Sequence, residues 1–127
     1  MAKILLVDDE IDILKVLSKE LAAAGHEMIT AITAKEGIEK AQRTTPDLIL
    51  MDILLPDIGG ADAVKIIKSF PELKAIPVIF LTAMVRPSEE RREALKINVG
   101  SDWYETVGKP YDKVDLFTKI QAALKKT

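Results

Sequence analysis

The sequence predicts an α/β fold in which a parallel β-sheet is covered by helices on both faces. Three observations carry this prediction. Short, continuous apolar runs such as KILLV at residues 3–7 and LILM at residues 48–51 have strand length. They lack the alternation of a strand with one wet face, as expected where both faces are buried. Segments with apolar residues at helical spacing lie between these runs, and the two kinds of segment alternate five times along the chain. Right-handed crossovers then leave few arrangements for such a chain.

The first strand, residues 3–7, ends directly on Asp8, Asp9 and Glu10. A helix follows, with Ile11, Leu14, Leu17, Leu21 and Ala24 at helical spacing and Gly25 placed to stop it. Residues 26–32 are a weaker strand with Met28 and Ile29 apolar, and His26, the only histidine, reads as a turn residue. Thr33 and Glu36 form a capping box that starts a helix running to about Gln42, and Thr44, Thr45 and Pro46 break it. The third strand, DLILMD, closes on Asp52 and passes through the loop ILLPDIGG.

A helix over residues 61–70 turns Val64, Ile66 and Ile67 inward and ends at Pro71. The fourth strand, PVIFL at residues 77–81, is rich in β-branched and aromatic residues and ends on Thr82 and Ala83. Pro87 and Ser88 start a charge-rich helix over residues 89–97, stopped by Gly100. The less regular SDWYETVGK then holds a short fifth strand around residues 103–107. After Lys109-Pro110, Asp112 caps a final helix carrying Leu116, Ile120 and Leu124.

Composition narrows the possible functions. The 127 residues, 48% hydrophobic and 30% charged, suit a single soluble domain over residues 1–127. A formal charge of −2 gives no electrostatic case for nucleic-acid binding. The absence of cysteine excludes disulfides, thiolate metal sites and cysteine nucleophiles. The apolar run at the start is too short for a signal peptide, and the longest apolar stretch, residues 75–85, is interrupted by Pro77. That stretch falls short of the roughly 20 residues of a membrane span, so a cytoplasmic protein without a membrane partner is expected.

In open parallel sheets, ligands bind beyond the carboxyl ends of the strands, where the strand order reverses. Asp8, Asp9, Asp52, Thr82 and Lys109 all fall there. Each alone has an ordinary structural role. Asp8 and Asp9 suit the positive end of a helix dipole, Asp52 can begin a turn, Thr82 can cap, and Lys109 can be a surface lysine. Their joint placement at successive strand ends is far more specific.

With KILLVDDE, DLILMDILLPDIGG, VIFLTA and GKPYD in this order, the sequence resembles the receiver domain of two-component response regulators. The resemblance covers essentially the whole chain. It implies a doubly wound, flavodoxin-like (βα)5 fold with five parallel strands in the order 2-1-3-4-5. It also implies that Asp52 is the phosphoacceptor, forming an aspartyl phosphate with a phosphoryl group from a histidine kinase or a phosphotransfer protein.

Carboxylates can act as nucleophiles, but three packed together repel one another and raise each other's pKa. Mg2+ answers this repulsion, since it favours one or two carboxylates together with waters and phosphate oxygens. Asp9 and Asp52 are the expected direct ligands, with Asp8 direct or through water and the Leu54 carbonyl added by resemblance. Lys109 neutralises phosphoryl charge, the Thr82 hydroxyl donates to a phosphoryl oxygen, Ala83 leaves access, and a cis Lys109-Pro110 bond aims the lysine.

The stretch from Thr82 to Lys109 is longer than is usual in that family. The residue that rotates with the threonine is therefore either Tyr104 or Thr106. Trp103 and Tyr104 form an output surface or pack against the last helix. The expected behaviour is that of a switch promoting its own phosphorylation and dephosphorylation, with an unknown downstream protein target. It is either a single-domain regulator or a receiver from a larger protein. A pseudo-receiver lacking phosphorylation would not need the intact acids, threonine and lysine. A nucleotide- or flavin-binding protein of similar topology would want a Gly/Ser/Thr-rich phosphate loop in place of DDEID.

Overall fold

The computed structural model describes residues 2–82, 96–99, 102–109 and 111–125, with Thr82, Lys96, Ile97, Asn98, Asp102 and Trp103 described at the backbone only. The elements run β1 (Lys3–Val7), α1 (Ile11–Ala23), β2 (Glu27–Ala31), α2 (Ala34–Thr44), β3 (Leu48–Asp52), α3 (Gly60–Lys68), a 3₁₀ turn (Pro71–Leu73), β4 (Val78–Thr82), β5 (Lys96–Val99), β6 (Asp102–Gly108) and α4 (Lys113–Lys125). Strand order in the sheet is β2-β1-β3-β4-β6-β5. Every pairing among β1, β2, β3, β4 and β6 is parallel. These five strands realise the expected 2-1-3-4-5 order, with β6 as the fifth.

The sixth strand departs from expectation. Residues 96–99 continue no helix; they pair antiparallel with β6, Val99 opposite Asp102 and Lys96 opposite Glu105. The physical signal is in the sequence: Ile97 and Val99 alternate with polar residues, and Gly100-Ser101 is a composition suited to a two-residue hairpin. Helical charge patterning upstream masked it. The rest of the expected helix, residues 89–95, lies outside the described residues.

Period-two alternation splits the core into two layers. Leu5, Val7, Ile49, Met51, Val78 and Phe80 pack with Ala34, Ala41, Ala63, Val64 and Ile67 of α2 and α3. Ile4, Leu6, Leu48, Leu50, Ile79 and Leu81 pack on the other face with Leu14, Leu17 and Leu21 of α1 and Leu116 and Ile120 of α4. Because β1 and β3 are covered on both faces, their apolar runs are unbroken, and burial of each large side chain contributes about 1.5–3 kcal/mol. One inward assignment fails: Ile66 is 41% exposed, and Ala63 takes the buried position beside Val64 and Ile67.

Gly25 takes a φ of +98°, the left-handed conformation that ends α1. At α2, Thr33 Oγ1 accepts from the N–H of Glu36 (3.1 Å), while Glu36 Oε1 accepts from Ile32 N–H (2.8 Å). The reciprocal arm of the capping box thus reaches one residue further back than Thr33. Replacing Thr33 with Ala is expected to cost about 1 kcal/mol in urea unfolding, because it frees the Glu36 amide. Asp112 accepts from Asp115 N–H (3.0 Å) at the start of α4, as its sequence position predicts.

Candidate functional site

The strand register gathers the site. Val7 stands opposite Met51, Asp52 opposite Leu81 and Thr82 opposite Gly108, so Asp8, Asp52, Thr82 and Lys109 come to one end of the sheet. Asp8 is fully buried and Asp52 is 3% exposed. Lys109 Nζ lies 2.7 Å from Glu10 Oε1, 2.8 Å from Asp8 Oδ2 and 3.2 Å from Asp52 Oδ2. Asp8 Oδ1 accepts from Glu10 N–H (2.9 Å), and Leu54 N–H donates to Asp52 Oδ1 (3.2 Å). A Cβ at Gly60 would stand 2.1 Å from the carbonyl oxygen of Asp52. The start of α3 therefore presses on the backbone of the acid itself.

Three carboxylates face one ammonium here. Burial, and then the Asp8 carboxylate, push Asp52 up to about 6 against the opposing pull of Lys109 and the Leu54 amide. Burial works against the charge on Lys109, but Asp8, Glu10 and Asp52 outweigh it and hold the ammonium above its ordinary range. Buried Asp8 Oδ2 is paired with the Lys109 ammonium at 2.8 Å. One oxygen from each of Asp8, Glu10 and Asp52 lies within 4.8 Å of the other two. The excess negative charge, three carboxylates against one ammonium, and the all-oxygen donor set fit a hard divalent cation.

A model of the response regulator receiver domain matches residues 4–121. The chain belongs to the receiver domain family. The alkaline phosphatase synthesis transcriptional regulatory protein PhoP of Bacillus subtilis is 33% identical over 125 residues, which cover 98% of this chain and 49% of PhoP. The receiver thus spans about half the length of curated relatives of this kind. The chemotaxis protein CheY4 of Vibrio cholerae superposes with a TM-score of 0.80 at 31% identity, covering 97% of this chain and 98% of CheY4. The receiver domain of sensor histidine kinase PA1611 from Pseudomonas aeruginosa, solved with a magnesium ion coordinated in its active site cleft, superposes with a TM-score of 0.81 at 26% identity over 98% of each chain.

Within this receiver, Asp8, Asp52 and Lys109 converge as the sequence anticipates. Asp9 is exposed and stands outside the group of carboxylate oxygens that Glu10 joins. Sequence reasoning passed over Glu10, treating it as one more acid opening a helix; its contact with Lys109 spans 99 positions and leaves no local signal. Ala83 and Pro110, and with them the cis peptide, lie outside the described residues.

Tyr104 does not pack on the last helix. It meets Phe80 edge-on at 5.6 Å and 87°, in the layer beneath α2 and α3, on the sheet face opposite α4. Thr106, two residues on and on the same face, is fully buried, and among the described residues its hydroxyl has no hydrogen-bond partner. Among the described residues, no helix is long and apolar enough to cross a membrane.

Proposed function

We propose that this receiver is a phosphorylation-dependent switch whose phosphoacceptor is Asp52. The observation carrying the proposal is a buried carboxylate at the end of β3, bridged to the buried Asp8 by the Lys109 ammonium. The donor is a phosphohistidine on a histidine kinase or phosphotransfer protein in the cytoplasm. A carboxylate oxygen of Asp52 attacks phosphorus, the P–N bond breaks as the P–O bond forms, and the departing imidazole takes up a proton. Mg2+, when bound, neutralises the oxygens of the transferring phosphoryl group.

Asp8, Asp52 and the Leu54 carbonyl would hold the ion together with Asp9, whose exposed side chain would turn in to join them while Glu10 stays with Lys109. Lys109 pairs with phosphoryl oxygens from the opposite side, and the Thr82 hydroxyl donates to one of them once the group is in place. Phosphorylation adds roughly two negative charges. The new contacts to Thr82 and Lys109 shift the protein between two surface conformations, which a downstream protein reads. Hydrolysis within the same site resets the switch. Residues 1–127 act as one receiver unit in this scheme.

Incubation with Mg2+ and acetyl phosphate, followed by intact mass, tests this directly. A gain of one phosphoryl group is expected, lost in Asp52→Asn and on chelation of the metal. An equal gain in the Asp52→Asn variant would overturn the assignment.

A further inference from the structure

The loop after Asp52 is tied to a second helix by a residue outside the proposed phosphoryl chemistry. Asp57 sits in the loop of residues 53–59 with its side chain at the surface. Both of its oxygens are nevertheless engaged: Oδ1 accepts from Ala34 N–H (2.9 Å) and Oδ2 from Lys35 N–H (2.9 Å). These two amides open α2, and N–H groups in the first turn of a helix have no partner within it. Thr33 caps only the third, Glu36. The first turn of α2 therefore has two separate caps, one of its own and one supplied by the loop beside Asp52. The same hydrogen bonds hold the Asp57 carboxyl below the usual carboxylate range.

Elsewhere the described hydrogen bonds of the loop lie near its ends, while Ile53 and Leu55 pack against the core layer beneath α2 and α3. Leu54 N–H meets Asp52 Oδ1 (3.2 Å), and Gly60 N–H meets Ile53 O (2.8 Å). Pro56 has no amide hydrogen to give. The double contact from Asp57 is thus the polar anchor between the two ends, three residues beyond the Leu54 carbonyl and beside the apolar anchor of Leu55.

We infer that Asp57 is a positioning residue for the cation: it fastens the loop to α2 so that the Leu54 carbonyl is ready for the ion, and the first turn of α2 registers occupancy of the site. The inference rests on the reading of residues 8, 9, 52 and 54 as a Mg2+ site. Linkage makes it reciprocal. If the tether favours cation binding, cation binding must strengthen the tether by the same factor. The Ala34 and Lys35 amides report this directly, since Asp57 is their acceptor.

The test uses Mg2+ alone, by titration calorimetry and by amide hydrogen exchange, on the wild type, Asp57→Ala, Asp57→Asn and Thr33→Ala. Mg2+ affinity is expected to fall about fivefold or more in Asp57→Ala. In Asp57→Asn, where one amide oxygen can serve only part of the pair, the fall should be smaller. In Thr33→Ala, which weakens the start of α2 without touching the loop, affinity should be unchanged. Mg2+ should slow exchange at Ala34 and Lys35 in the wild type and not in Asp57→Ala. Unchanged affinity in both Asp57 variants, an equal loss in Thr33→Ala, or exchange at the two amides indifferent to Mg2+ would each overturn the tether. Failure of the wild type to bind Mg2+ would instead remove the metal assignment, and the tether with it.

Discussion

Replacing Asp52 with Asn is expected to make the metal-free receiver more stable while it ends phosphorylation. The buried carboxylate has its pKa raised from 3.8 to about 6, so folding at neutral pH holds a charge in a place that disfavours it. The sign follows from linkage. For an acid whose folded value is raised, the contribution to stability is fully present below the unfolded value and is lost as pH rises through the folded one. In EDTA, Asp52 therefore contributes a decline in wild-type stability between about pH 4 and pH 7, and the Asn variant lacks that contribution.

The expected difference at neutral pH is about 1–3 kcal/mol, read from urea unfolding of the two proteins across that window. Adding Mg2+ should reverse the comparison, because the ion stabilises only a protein that binds it. If the two proteins were equally stable in EDTA at neutral pH, burial and the Asp8 charge would not be opposing the Asp52 carboxylate as described.

The second large effect is expected at Gly60. A Cβ there would lie 2.1 Å from the carbonyl oxygen of Asp52, 2.9 Å from its carbonyl carbon and 3.0 Å from Ile53 Cα. All three are backbone atoms at the end of a central strand, so no side chain can turn aside. Gly60→Ala should cost about 3 kcal/mol by overpacking, and it should slow phosphorylation because relief requires moving Asp52 or α3. Gly37 is a useful comparison. Its Cβ would meet Val7 Cγ2 at 2.7 Å, a side-chain methyl rather than strand backbone, so Gly37→Ala should be milder though still destabilising. A Gly60→Ala protein as stable as Gly37→Ala in urea would show that α3 does not press on Asp52.

These contrasts also mark where sequence patterns carry information. The runs at residues 3–7 and 48–52 announced strands because burial on both faces leaves no polar position to confuse the period. Thr33, Gly25 and Asp112 announced helix ends because capping chemistry is local. Asp8, Asp52 and Lys109 were legible as a set because parallel connectivity brings strand ends together. Glu10 and Asp57 were not. Each acts on a partner far along the chain, at 99 positions for Glu10 to Lys109 and at 23 and 22 for Asp57 to Ala34 and Lys35, where no periodicity reports the contact. The strand at residues 96–99 was hidden by its neighbours' charge, although its own alternation favoured extended backbone.

That strand changes which part of the sheet could pair with a foreign chain. Without β5, the seven residues of β6 would form the outermost strand and offer a long row of backbone donors and acceptors as a template for aggregation. With β5 in place, the strand leading to Lys109 is flanked on both sides, and the outermost strand among the described residues spans four of them. The opposite border, β2, has five. Two short bordering strands offer few free backbone donors and acceptors for growth by edge addition.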